Sequence, residues 1–63
     1  MELEALDYLK KSLLDAQERV RDFMNYSEDV DDDELSSFFH DCAKIEGLQA
    51  QKLQEFIKER GEY

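Results

Sequence analysis

Between Leu35 and Ile57 the chain carries an apolar rhythm that only a long helix satisfies. Leu35, Phe39, Cys42, Glu46, Gln49, Leu53 and Phe56 recur at alternating steps of four and three. Phe38, Ala43, Ile45, Ala50 and Ile57 flank that line. This is the spacing of one helix face. Two positions of the line, Glu46 and Gln49, are polar. A carboxylate and an amide one turn apart inside a core-facing stripe cost stability unless something satisfies them.

The first half of the chain repeats the pattern. Leu3, Leu6, Lys10, Leu13, Gln17, Val20 and Met24 form a central line, with Leu9, Leu14, Ala16 and Phe23 beside it. Glu4, Lys11, Asp15, Glu18, Arg19 and Asp22 take the opposite side, where Asp15 and Arg19 have the spacing of a favourable i,i+4 pair. Between the two rhythms, Asn25 to Asp33 collects Asn, Ser and Asp, residues that hydrogen-bond their own backbone in turns. There is no proline and there are only two glycines, Gly47 and Gly61. The expected fold is all-α: a helix over about 2–26, a loop over about 27–31 and a helix over about 32–60. So short a loop between long helices makes an antiparallel hairpin.

Local signals set the boundaries. Asp31 as N-cap would place Glu34 at the third helical position, a capping box, with Val30 and Leu35 as a hydrophobic staple. Asp32, Asp33 and Glu34 would suit the positive end of the helix dipole. Lys58 and Arg60 suit the C-terminal end, and Gly61 the C′ position.

With 63 residues the chain is one domain at most, and it buries little surface alone. A two-helix hairpin leaves apolar surface uncovered. The economical remedy is a second copy packed about a two-fold axis into a four-helix bundle. The residues expected at that dimer interface are Leu6, Leu13, Val20, Phe39, Cys42, Leu53 and Phe56.

Charge narrows the partners. Seventeen acidic against eight basic residues give a net charge of −9. Such a chain repels phosphate backbones and anionic lipid, so nucleic acid and membrane surfaces are poor partners. No apolar run approaches the roughly 20 residues of a membrane span, and Met1-Glu2-Leu3-Glu4 lacks the start of a signal peptide. The single Cys42 cannot form an intrachain disulfide. These features point to the cytoplasm.

Leu35, Phe38, Phe39, Cys42, Ala43, Glu46, Gln49, Ala50, Leu53 and Phe56 together resemble the second helix of ferritin-like, rubrerythrin-type hairpins. In that family a Glu-x-x-His pair occupies this register, after an aliphatic or aromatic stripe. With the capped acidic loop and the first helix, the resemblance spans most of the chain. It implies a di-iron or di-manganese centre held by Glu from one helix and Glu-x-x-His from the next. Gln49 stands here where the family has His, and Gln17 where the first helix would supply Glu, with Glu18 adjacent. A neutral amide is a weak ligand for iron. The resemblance therefore implies a degenerate site: Glu46, Glu18, Gln49 and Gln17 as the candidate ligands, but no resident cofactor. The preferred reading is a polar layer. In it Glu46 bonds to Gln17, Gln49 or a partner's Lys10, and fixes register and partner choice.

The other candidates are weaker. Asp29, Asp31 and Asp33 match the first three ligand positions of an EF-hand loop, but Glu34 stands at the glycine position and His40 at the terminal glutamate. A solvated helix start explains them better. His40 and Cys42, two apart on a helix, point about 200° apart and make no catalytic pair. No Ser-His-Asp set, glycine-rich phosphate loop or Cys-x-x-Cys occurs. The expectation is a non-catalytic homodimeric binding or structural module, open to a further protein partner through its bundle ends, acidic surface or residual apolar face. Its rivals are an iron- or manganese-binding protein with a site shared between subunits, and a helical adaptor whose bundle pattern is convergent.

Overall fold

The computed structural model describes residues 3–60. They form two helices, α1 (Leu3–Asp29) and α2 (Asp33–Glu59), and among the described residues there is no strand. The chain is a helical hairpin, as the two apolar rhythms predict. Gly61 and the side chain of Leu3 lie outside the described residues.

The helices meet along seams that alternate in steps of three and four, the spacing of a coiled-coil interface. Residues 6, 9, 13, 16, 20, 23 and 27 form the α1 side, and 36, 39, 43, 46, 50, 53 and 57 the α2 side. Leu13, Ala16, Ala50 and Ile57 make the buried centre, and Leu6, Leu9 and Leu53 pack onto it. Ala43 is buried nearer the loop, where Phe23 and Phe39 stack with ring centroids 6.2 Å apart. The small side chains of Ala16, Ala43 and Ala50 let the two backbones approach closely.

These seams are rotated from the expected lines. Lys10 and Gln49 are exposed and Gln17 is half-buried. The reason is continuity: on α1 the chosen face runs from Leu6 to Phe23 without a charged or amide residue, whereas the expected line crossed Lys10 and Gln17. Burying an unbroken apolar line avoids the desolvation of an ammonium and an amide.

The loop is shorter and later than expected. α1 continues through Ser27, Glu28 and Asp29, and Val30 N–H still donates to the Tyr26 carbonyl at 3.1 Å. Asp32, not Asp31, is the N-cap of α2: its backbone is extended (φ −161°, ψ 115°) and its carboxylate accepts from Leu35 N–H at 3.0 Å. Glu34 is therefore the second helical residue, so the capping box is absent. The staple positions become Asp31 and Ser36, both polar, and Leu35 is left 45% exposed.

A reciprocal serine pair sets this register. The Ser27 hydroxyl donates to the Ser36 carbonyl at 2.8 Å, and the Ser36 hydroxyl donates to the Ser27 carbonyl at 2.7 Å. Ser27 thus serves as a helix-to-helix tie rather than a turn residue, which carries α1 past residue 26. At the far end, Arg60 caps α2 by donating its backbone N–H to the Ile57 and Lys58 carbonyls. Its guanidinium also reaches the Phe56 carbonyl at 3.0 Å.

Candidate functional site

Glu46 has a different partner from those expected, and among the described residues no polar side chain is buried. Glu46 occupies a seam position between Ala43 and Ala50. From α1, the Arg19 guanidinium donates through Nε to Glu46 Oε1 at 2.8 Å and through Nη2 to Oε2 at 3.4 Å. The Glu46 side chain is 20% exposed and that of Arg19 51% exposed, so the pair sits at the edge of the seam. A fork-shaped cation on both oxygens of a carboxylate fixes direction as well as charge. The bond to Glu46, then its charge, raises the Arg19 pKa above its ordinary value, and the charge of Asp15 adds to that.

Sequence reasoning missed Arg19, having paired it with Asp15 on the outer side of α1. In the structure Asp15 pairs instead with Lys11, at 3.0 Å. The signal that would have found Arg19 is the seam itself. Once Leu6, Leu9, Leu13, Ala16, Val20 and Phe23 are taken as the inward line, Arg19 flanks it on the side facing Glu46.

The four candidate metal ligands do not converge within the chain. Glu46 and Gln49 line a groove with Ser12, Asp15, Arg19 and Leu53. Gln17 and Glu18 are not among its lining residues, and Glu18 is exposed. Both Glu46 oxygens are engaged by a guanidinium, which holds the ground a metal cation would need. Among the described residues no three His, Cys, Asp or Glu side chains are grouped to hold a metal ion. The donor set of a single hairpin does not fit a di-iron or di-manganese centre. Asp29, Asp31 and Asp33, the three acidic residues of the loop, are each exposed: Asp29 ends α1, Asp31 lies in the loop and Asp33 begins α2.

The expected dimer residues divide into two groups. Leu13 is in the intrachain core, Leu6 and Leu53 pack on it, and Phe39 stacks on Phe23. Val20 is half-buried in the seam. These side chains meet within the hairpin. Cys42 and Phe56, both half-buried, lie off the seam, and Phe56 is covered on its ring face by Lys52 and Arg60, each 4.9 Å from the centroid. His40 is exposed.

Large apolar side chains stay exposed on both helices, Leu14 and Leu48 among them. Leu35, Phe38 and Ile45 on α2 are 45%, 58% and 62% exposed, and Tyr8 and Tyr26 on α1 are 68% and 47% exposed. Tyr26 stands edge-on to Phe39 at 5.6 Å, and Phe39 lies beside Phe38 at 5.9 Å. No described helix is long and apolar enough to cross a membrane. Comparison of the chain with protein-family models, curated proteins and solved structures finds no match.

Proposed function

We propose that the chain is a self-associating helical module, non-catalytic, in which two hairpins pack into a four-helix bundle that serves a binding or structural role. The observation that carries this reading is the uncovered surface. The chain exposes 4926 Å². A folded monomer of 7.5 kDa is expected to expose about 4250 Å². The excess of roughly 700 Å² is close to the ~800 Å² that each partner buries in a standard interface. Phe38, Ile45 and Tyr26 are among the large apolar side chains left exposed.

The ferritin-type resemblance enters only as a shared hairpin plan, because within one hairpin the Arg19 guanidinium takes both Glu46 oxygens. A single thiol suits a reducing cytoplasm. The acidic outer surface disfavours nucleic acid, and it also opposes self-association at low ionic strength.

Sedimentation equilibrium over nanomolar to micromolar protein is the test. A dimer is expected, tightening as salt rises from low to physiological ionic strength. A folded chain that stays monomeric at high micromolar concentration would remove this reading.

A further inference from the structure

The inference rests on the self-association proposed above and specifies its contact. One face of the hairpin carries two strips at heptad spacing. On α1 they are Tyr8, Ser12, Asp15, Arg19, Asp22 and Tyr26; on α2, Phe38, Cys42, Ile45, Gln49, Lys52 and Phe56. Shared grooves place them together: Ser12, Asp15, Arg19 and Gln49 line one, and Tyr8, Ser12 and Phe56 line the next.

The α1 strip is complementary to itself when reversed, and the α2 strip brings its two end aromatics together. About residue 17, Asp15 stands opposite Arg19, Ser12 opposite Asp22, and Tyr8 opposite Tyr26. About residue 47, Ile45 stands opposite Gln49, Cys42 opposite Lys52, and Phe38 opposite Phe56. Residues 17 and 47 sit at nearly the same height, because Arg19 bonds directly to Glu46 across the seam. One two-fold axis, perpendicular to the helices at that height, reverses both strips at once.

We propose that two copies pack these faces together with their loops at opposite ends. Asp15 then meets the partner's Arg19 twice, Tyr8 meets the partner's Tyr26, and Phe38 meets the partner's Phe56. The Asp15 and Arg19 side chains are 46% and 51% exposed and so remain reachable. With Lys11 and Glu46 they would form a chain of alternating charge across the interface. The alternative two-fold, with loops at the same end, lays α1 on the partner's α2. That arrangement sets Asp15, Arg19 and Asp22 against Gln49, Ile45 and Cys42, burying charge on a largely apolar strip. A second copy is the occupant because the face supplies its own opposite charges and the uncovered area matches one interface.

Two measurements test the register. In a Cys42→Ala background, a spin label at Glu28→Cys lies 11 residues from the axis. Opposite-end loops then separate the two labels by about 33 Å along the helices, at 1.5 Å per residue. Same-end loops remove that axial separation and leave only the width of the bundle between the labels. The longer distance supports the inference; the shorter one overturns it while leaving self-association intact. Ser12→Lys places a cation opposite the partner's Asp22 at two symmetric points and is expected to tighten the dimer about fivefold at low salt. Gln51→Lys, the same charge change away from the face, is the control. Equal effects of the two variants overturn the register. A chain that remains monomeric under all conditions overturns both readings and leaves the face to a different protein.

Discussion

Arg19 and Glu46 hold one another across the hairpin, Nε to Oε1 at 2.8 Å, although 27 residues separate them. Glu46 is the one charged residue on either seam, and its carboxylate is met by a cation that reaches in from solvent. Partly exposed pairs of this kind contribute little net stability and serve orientation better. Glu46→Leu is therefore expected to raise the melting temperature by a few degrees. It continues the apolar seam between Ala43 and Ala50, and Arg19 can turn out to water. Glu46→Ala should lower the melting temperature, since it removes the partner and leaves a gap. A fall with both variants would show that the ion pair itself holds the helices. The pair's pH dependence follows from the raised Arg19 pKa. On the alkaline side its contribution is lost only as pH climbs through the raised value, so alkaline titration short of that range leaves it intact.

The Ser27–Ser36 tie gives a sharper stability prediction. Each hydroxyl donates to the other residue's carbonyl, and both serines are half-buried. Ser27→Ala and Ser36→Ala should each cost about 1 kcal/mol, the net worth of a typical internal hydrogen bond. The hydroxyl oxygens lie 3.0 Å apart, so the two losses should couple in a double-mutant cycle. Urea denaturation at fixed protein concentration measures it. Additive losses would mean that the two bonds act independently.

The cap assignment separates two neighbouring aspartates. Asp32→Ala removes the acceptor of Leu35 N–H and should cost about 1 kcal/mol. Asp31→Ala, one residue outside the helix, should stay within about 0.5 kcal/mol of the parent, as for surface positions away from such features. Thermal unfolding of both variants decides the matter. A larger loss at Asp31 would move the helix start back to the position its sequence pattern suggests.

The two helices were legible because twenty-odd residues of apolar periodicity leave little choice. Their rotation was not, because two neighbouring lines on each helix carry similar apolar content. What separates them is the cost of the interruptions: a line through Lys10 and Gln17 loses to one through Leu9 and Ala16. The loop misled for a related reason. Ser27 and Asp29 have turn propensity, but Ser27 finds a partner on α2 that no local signal announces. Asp31 and Asp32 are equally good caps in isolation, and that same tie selects between them. Glu46 was readable as an anomaly in the stripe; its partner depended on the rotation and was lost with it.

Gly47 offers the last prediction. It lies inside α2, where glycine carries the full entropic cost of an ordered backbone. A Cβ built at this position would find nothing within 4 Å, so no close approach of the helices requires glycine here. Gly47→Ala should therefore stabilise the hairpin by about 1 kcal/mol, the helix-propensity difference between the two residues. Position 47 also lies on the opposite flank of α2 from Phe38 and Ile45, so the substitution should leave the dimer dissociation constant unchanged. Chemical denaturation and sedimentation on one sample read the two effects separately. Stabilisation with unchanged association is the expected pair of results. A weaker dimer would place Gly47 inside the contact between copies, where its missing side chain would then have a purpose, and the self-association surface would have to be sought on that flank instead.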